Sequence, residues 1–180
     1  MNGNLGLGHR RLSIIDVSDA ANQPFFFFFK HVLVFNGAIY NYIELKEELE
    51  ELGYIFKTDS DTEVLLSAYD CWGEECVKKF NGMWSFAIFD VKKNILFCSR
   101  DRFGIKPFYY YTDKEKFVFA SEIKPILEIE KIETANLQTI LTFLIINISD
   151  QTNETYFKDI FKLPGAHNLI YDLNTNDFTI

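Results

Sequence analysis

Along much of the chain, short runs of apolar or alternating apolar and polar residues have the length of a β-strand. Their content of β-branched and aromatic residues is also typical of strands. Six such runs cover residues 12–15, 31–35, 83–89, 95–99, 107–111 and 116–120. The last four follow closely on one another, with polar connectors of hairpin length at 91–94 and 112–115, which predicts an antiparallel meander. Residues 167–172 and 177–180 should form one more hairpin.

Helical spacing of apolar residues predicts helices at 42–52, where Gly53 is the expected stop, at 62–72 and at 136–144. Ser60 and Glu63 fit a capping box before the second helix, in which Ser60 accepts from the third helical amide and Glu63 reaches back. Strands joined by hairpins and interleaved with helix pairs predict an α+β fold, in which helices cover antiparallel sheets.

Residues 25–29 are five consecutive phenylalanines. Such a run has high β-propensity and no charge, so it would favour aggregation if it were exposed. A buried strand or a covered loop is the expected structure, and the alternative is that the run does not represent the natural sequence. It indicates no function.

Composition narrows the classes of partner. The 180 residues, 48% of them hydrophobic, predict one globular domain over 1–180, and the net charge of -8 argues against binding to nucleic acid or to an anionic membrane surface. No apolar stretch reaches the ~20 residues of a membrane span, and the first residues carry no secretory signal pattern, so a cytoplasmic location is expected. Three cysteines without CxxC spacing and three scattered histidines predict neither disulfides nor a metal site.

Five segments carry a family pattern. They read GHRRLSIID at 8–16, FNGAIYNY at 35–42, TDSDTE at 58–63, FNGMWSFAIFD at 80–90 and SRDRFGIKP at 99–107. In this order they resemble the class II glutamine amidotransferase domain of asparagine synthetases, and the likeness runs from about residue 5 to at least 167. The resemblance implies a four-layer αββα Ntn-hydrolase fold that hydrolyses glutamine and passes ammonia to a carboxylate activated by ATP elsewhere.

Releasing ammonia from glutamine requires a grip on the charged head of the amino acid, a nucleophile, and donors for the oxyanion. The resemblance places the α-carboxylate on Arg11, whose guanidinium suits bidentate pairing, the α-ammonium on Asp61, and a further substrate contact at Ile14. Without the motif, Arg11 would be a surface or ion-paired arginine. Asp61 would serve only the amides at the start of its helix.

Asn36 and Gly37 resemble the oxyanion hole of the family, in which an Asn side-chain amide and a Gly backbone amide face the developing charge. Glycine suits this position because it lets the backbone approach a ligand closely. The alternative is a strand-ending turn, since Asn-Gly is the strongest short turn signal.

Two departures from the family pattern bear on activity. Ala38 stands where the family commonly has Glu, so one acceptor for the substrate ammonium is missing. The family nucleophile is a Cys at the mature N-terminus whose α-amine acts as the base, whereas this chain begins Met1-Asn2. The expectation is an N-terminally truncated domain that is inactive alone and that lacks the synthetase domain, where ATP and Mg would bind. No cofactor is expected in the 180 residues.

Residues 155–167 resemble the passage that leads towards the synthetase domain, so L-glutamine and a synthetase domain or subunit are the expected partners. Asparagine synthesis is the leading activity of the parent enzyme, and transfer to a sugar acceptor or a different class II enzyme is the alternative. A non-catalytic domain that binds glutamine or contacts a partner is the rival from another class. Truncation would also leave unpaired strand edges, which favours a homodimer formed by strand addition.

Overall fold

Two antiparallel sheets organise the computed structural model, which describes residues 5–10, 21–132, 134–149 and 151–180. Their strands are β1 Phe25–Phe27, β2 His31–Ile39, β3 Gly82–Asp90, β4 Ile95–Arg100, β5 Tyr109–Thr112, β6 Phe117–Ala120, β7 Ile160–Lys162, β8 Asn168–Asp172 and β9 Phe178–Thr179. The larger sheet has the strand order β1-β2-β3-β4-β8-β9, and the smaller has the order β6-β5-β7.

In the part of the chain that the structure describes, four α-helices accompany the sheets: α1 Tyr42–Glu51, α2 Asp61–Trp72, α3 Ile123–Glu130 and α4 Leu137–Ile146, with a 3-10 helix at Gly73–Lys78. The stop predicted for α1 is confirmed, since Gly53 follows it with a φ of 92°, a conformation that favours glycine. None of these helices is long and apolar enough to cross a bilayer, within the residues that the structure describes.

Among the described residues, two hydrophobic cores lie between the layers. Helices α1 and α2 pack on one face of the larger sheet, where buried residues such as Leu49, Leu65 and Phe86 form the first core. The second core lies between the two sheets and includes Leu96 and Phe108. Helix α3 packs against β5 and β6. The order helices, sheet, sheet, helix is the four-layer arrangement expected from the sequence.

The predicted meander is wrong at one connection. The hairpins β3-β4 and β5-β6 form as expected, and so does β8-β9, but β4 and β5 belong to different sheets and β4 pairs instead with β8. The strand predicted at 12–15 lies outside the described residues. Helix α3 was not predicted, because it is short and Pro125 falls in its first turns.

The turn at residues 100–107 connects the larger sheet to the smaller sheet. The fully buried Asp101 carboxylate accepts hydrogen bonds from the amides of Phe103 at 3.1 Å, Ile105 at 2.9 Å and Lys106 at 2.9 Å. The Arg100 guanidinium donates to the carbonyls of Lys106, Gly104 and Leu163 at 2.6–2.7 Å. These two side chains replace regular pairing through the turn, and the RDRFGIKP motif therefore has a structural role of its own.

The capping box predicted for α2 forms only in part. Ser60 is the N-cap, but it accepts from the second helical amide, that of Thr62, at 3.2 Å. The Glu63 carboxylate does not reach back to Ser60. It accepts from the amides of Lys57 and Thr58 and from the Thr58 hydroxyl, at 2.7–3.1 Å. Glu63 thus fastens the loop before α2 rather than the end of the helix.

The phenylalanine run forms an edge strand and a turn. Phe25 and Phe27 are buried while Phe26 between them is 60% exposed, as expected for a strand with one face on the core. Phe28 and Phe29 then form the turn into β2 with φ values of 45° and 57°, positions that Asn and Gly usually occupy. The expectation of a buried strand is confirmed for residues 25–27 only.

The start of β2 is tied to the end of α2 by a polar cluster around Asp70. Its carboxylate accepts from Lys30 at 3.1 Å, from His31 Nε2 at 3.1 Å and from the Tyr54 hydroxyl at 2.9 Å. Partial burial acts to raise the pKa of Asp70, but the hydrogen bonds from Lys30, Tyr54 and His31 outweigh it and hold the pKa below its ordinary value of 3.8.

Asp70→Asn should lower the free energy of unfolding by about 1 kcal/mol at pH 7, after allowance for solvent screening. Because the folded-state pKa is depressed, this stabilisation is complete above the unfolded pKa and is lost as the pH falls through the folded value. Denaturant titrations at pH 7 and below pH 3 should show a difference between wild type and variant that shrinks in acid. A difference that stays constant with pH would contradict this.

Candidate active site

The edge of β2 that faces away from β3 holds the candidate site. On β3, the Trp84 amide donates to Asp101 Oδ2 at 3.2 Å and the Trp84 carbonyl accepts from the Asp101 amide at 2.9 Å. Both groups of Trp84 therefore point away from β2. Gly37 is the partner of Trp84 across the ladder, so the two form a non-hydrogen-bonded pair. The amide and the carbonyl of Gly37 accordingly point away from β3.

Two side chains bind this edge on either side of Gly37. The Gln23 carboxamide pairs with the backbone of Phe35, accepting from its amide at 2.6 Å and donating to its carbonyl at 3.1 Å. Asp61 Oδ2 accepts from the Ile39 amide at 3.0 Å. In place of a neighbouring strand, β2 thus has a carboxamide at one position and a carboxylate at another, and the Gly37 amide lies between them.

Gly37 is required by the close approach of β3. A Cβ built at this position would lie 2.2 Å from the Met83 carbonyl oxygen and 2.8 Å from the Trp84 Cα. Both are backbone atoms that cannot rotate away, so no side chain fits. On the same strand pair, a Cβ at Gly82 would lie 2.2 Å from the Ala38 carbonyl oxygen. At both positions, therefore, only glycine leaves room for the backbone of the facing strand.

A cavity of about 500 Å³ opens beside this edge and is lined in part by Gln23, Asn36, Gly37, Ala38, Asp61 and Lys106. Asn36 and Ala38 lie on the same face of β2 as Val34, which belongs to the core between the sheets. Within the described part of the chain the Asn36 carboxamide makes no side-chain hydrogen bond, so it can serve a ligand. The cavity therefore offers neutral donors beside acidic and basic side chains, which include Glu122 and Arg10 as well as Asp61 and Lys106.

The structure brings together four of the six residues predicted for the site, namely Asn36, Gly37, Ala38 and Asp61. Arg11 and Ile14 lie outside the described residues. The turn predicted as the alternative for Asn36 and Gly37 does not form, because both residues lie within β2. The alternative, that Asp61 serves only the amides at the start of its helix, is wrong for Oδ2, because this atom accepts from the Ile39 amide of β2.

Sequence reasoning missed Gln23 and Lys106. Gln23 lies in none of the five motif segments, and only the fold shows that its side chain pairs with Phe35, twelve positions away. Lys106 had a signal, since it belongs to the RDRFGIKP segment. The Asp101 carboxylate accepts a hydrogen bond from the Lys106 amide. This bond fixes the backbone at Lys106, which lines the cavity.

None of the three cysteines lines the cavity. Burial raises the pKa of the Cys76 thiol to about 12 and raises the pKa of Cys98, which lies inside β4, well above its ordinary value. Cys71 lies near the end of α2. Since the thiolate is the reactive form, neither buried thiol has the character of a nucleophile.

The outer edge of β2 and the buried Asp61 carboxylate at the start of α2 thus line one cavity of an α+β sandwich. A family model described as a glutamine amidotransferase domain matches residues 1–179. The chain therefore belongs to the glutamine amidotransferase domain family, as the sequence motifs predicted.

Similar curated proteins are asparagine synthetases. The putative asparagine synthetase [glutamine-hydrolyzing] 2 of Methanocaldococcus jannaschii is 42% identical over 194 residues, which cover 98% of this chain and 37% of that protein. Asparagine synthetase [glutamine-hydrolyzing] 1 of Bacillus subtilis is 44% identical over 145 residues, which cover 79% of this chain and 23% of that protein. The chain thus spans little more than a third of the length of these relatives at most.

The fold likeness reaches beyond the synthetases. The solved structure of glutamine phosphoribosylpyrophosphate amidotransferase from B. subtilis superposes with a TM-score of 0.55 at 20% identity, covering 83% of this chain and 28% of that chain. At this identity the likeness concerns the fold alone. It confirms the predicted α+β sandwich of the Ntn-hydrolase type.

Proposed function

We propose that the cavity beside β2 binds L-glutamine and that the chain is the glutaminase part of an asparagine-synthetase-like amidotransferase. The observation that carries this proposal is the position of the Gly37 amide, which points out of the strand edge between Gln23 and Asp61. An outward backbone amide beside the Asn36 carboxamide suits the oxyanion that forms when a glutamine side-chain amide is attacked.

The head of the amino acid would be held by charge. Asp61 is buried at the start of α2 and lines the same cavity as Asn36, so its carboxylate suits the α-ammonium of the ligand. The α-carboxylate would pair with Arg11, a role that rests on the sequence resemblance. Ammonia released at the side-chain end would pass to a carboxylate activated by ATP with Mg in a synthetase domain or subunit, for which asparagine synthesis is the leading activity.

The 180-residue chain by itself should bind glutamine without hydrolysing it. Its three cysteines lie away from the cavity, and two of them are buried with raised pKa values. The residues that surround the cavity supply binding and oxyanion donors but no activated thiol. The same observation, together with Ala38, favours a second function, that of a non-catalytic glutamine-binding domain.

Ala38→Glu should tighten the binding of L-glutamine about tenfold, because it restores an acceptor for the α-ammonium at a position that lines the cavity. Isothermal titration calorimetry on the 180-residue chain tests this. Ala38→Gln is the matched control, since it adds the same volume without the charge, and it should gain much less. A coupled assay should detect no ammonia from the wild-type chain or from either variant.

A second ligand separates headgroup recognition from a general change in the cavity. N-acetyl-L-glutamine lacks the α-ammonium, so Ala38→Glu should bring no gain with it. No glutamine binding by wild type or by Ala38→Glu would overturn the proposed site. Ammonia release by the wild-type chain would overturn the non-catalytic function and show that a nucleophile is present.

A further inference from the structure

Lys106 lines the cavity, is partly buried, and makes no hydrogen bond or ion pair through its ammonium with any residue that the structure describes. Two other described lysines are partly buried, and each has an oxygen nearby. Lys46 pairs with Asp59 at 3.0 Å, and Lys162 donates to the Ser149 carbonyl at 3.5 Å. Because an ammonium withdrawn from water is stabilised by an anion, Lys106 is suited to an anionic ligand.

The backbone of Lys106 is fixed on both sides. Its amide donates to Asp101 Oδ2 at 2.9 Å, and its carbonyl accepts from Arg100 Nε at 2.7 Å. Pro107 follows and further restricts the backbone of Lys106. A ligand would therefore have to order only the side chain, which keeps the entropic cost of binding low.

Lys106 lies on the face of the larger sheet that carries Asn36. Asn36, Ser85 and Arg100 face one another in register across β2, β3 and β4, so their side chains point to the same face. On this face the Arg100 guanidinium holds the Lys106 carbonyl. Lys106 and the Asn36 carboxamide thus share one face of the sheet and one cavity.

Asp61 lies on the other side of the strand pair. It binds the outer edge of β2, whereas Lys106 is anchored by Asp101 beyond the far edge of β3. Since adjacent strands lie about 4.8 Å apart, roughly 10 Å separates the two carboxylates. A ligand whose α-ammonium pairs with Asp61 would extend its other end across β2 towards Lys106.

The groups at this other end are hydrogen-bond donors. The Gly37 amide and the Lys106 ammonium can only donate, and the Asn36 carboxamide can donate through its nitrogen. A carboxylate offers two accepting oxygens, whereas a carboxamide offers one oxygen and an NH2 group that is itself a donor. Arg10 and Glu122 also line the cavity, but both are exposed, so water screens their charges.

We propose that Lys106 determines specificity for the side-chain end of the ligand, so that the cavity binds L-glutamate more tightly than L-glutamine. The Lys106 ammonium pairs with the γ-carboxylate while Asp61 holds the α-ammonium. This inference rests on the proposed function, because L-glutamate is the amino acid that hydrolysis of glutamine leaves behind. The site would therefore retain the product of the reaction.

Calorimetric titration of the 180-residue chain with L-glutamate and with L-glutamine tests the proposal, since the two ligands differ only at the side-chain end. Wild type should bind L-glutamate more tightly. Lys106→Met should weaken the binding of L-glutamate about tenfold and change the binding of L-glutamine less than about twofold. Lys106→Arg keeps the charge and should retain most of the preference for L-glutamate.

Lys92→Met is the matched control. Lys92 is exposed in the hairpin between β3 and β4, outside the cavity, and the substitution removes the same charge, so both affinities should stay at their wild-type values. Circular dichroism and thermal unfolding would verify that all variants are folded.

Three results would overturn the role of Lys106 and leave the glutamine site in place. They are a wild-type preference for L-glutamine, an equal loss of both ligands in Lys106→Met, and no loss of either. Failure of the wild-type chain to bind either ligand would instead overturn the proposed site itself.

Discussion

Replacing Asp101 by alanine should lower the free energy of unfolding by about 4 kcal/mol, the largest effect expected of any single substitution in this chain. Four backbone amides donate to this fully buried carboxylate, from Trp84 at 3.2 Å and from three residues of the following turn at 2.9–3.1 Å. Each amide left without an acceptor costs roughly 1–3 kcal/mol when it is shielded from water. Chemical denaturation monitored by tryptophan fluorescence measures the loss.

Asp113 provides a matched control for Asp101. Its carboxylate also organises a turn by accepting from backbone amides, those of Glu115 at 2.8 Å and Lys116 at 3.0 Å, but the turn is exposed to solvent. Asp113→Ala should cost far less stability than Asp101→Ala, because water can replace the lost acceptor. Equal losses at the two positions would show that the Asp101 turn does not depend on burial.

Gly37→Ala should destabilise the chain by roughly 3 kcal/mol and should abolish glutamine binding. The added methyl group would lie 2.2 Å from the Met83 carbonyl oxygen, so β2 and β3 must separate at this point. Separation would also displace the Gly37 amide from the cavity. Thermal unfolding reports the first effect and calorimetric titration with L-glutamine reports the second.

Gly6→Ala tests whether these effects belong to the close approach of the strands. No atom lies within 4 Å of a Cβ at Gly6, so this substitution should change stability by only a few tenths of a kcal/mol. A Gly37→Ala protein that keeps wild-type stability would show that the strands can part without cost. One that is destabilised but binds glutamine normally would remove Gly37 from the proposed site.

Strands could be predicted from the sequence where apolar and polar residues alternate strongly. The prediction failed where tertiary contacts outweigh a local signal. A strand was expected at residues 31–35, with a turn at Asn36 and Gly37 only as the alternative to a ligand-binding role, whereas β2 continues to Ile39. Asn-Gly favours a turn in isolation, but pairing with β3 holds both residues in the extended conformation. The two strands lie far apart along the sequence, so no local pattern indicates that they pair.

The candidate site, too, could be predicted from the sequence only in part. Motifs placed Asn36, Gly37 and Asp61 near one ligand, and the structure puts them at one cavity. The motifs gave no indication of how the donors are oriented. That orientation depends on Trp84 pairing with Asp101 on the far side of β3, and on Gln23 and Asp61 binding the outer edge of β2. Such contacts join residues 12 to 22 positions apart and exist only in the folded chain.

The Gly37 amide makes the site tolerant of sequence drift. A donor that belongs to the main chain is encoded by no particular side chain, so substitutions around it can weaken recognition of the ligand without deleting the donor. Ala38 illustrates this, since it lacks a carboxylate and still leaves the backbone of β2 in register with β3. Within the proposed site, changes of side chain around Gly37 should therefore weaken ligand binding while the outward amide keeps its position, because that position depends on strand pairing alone.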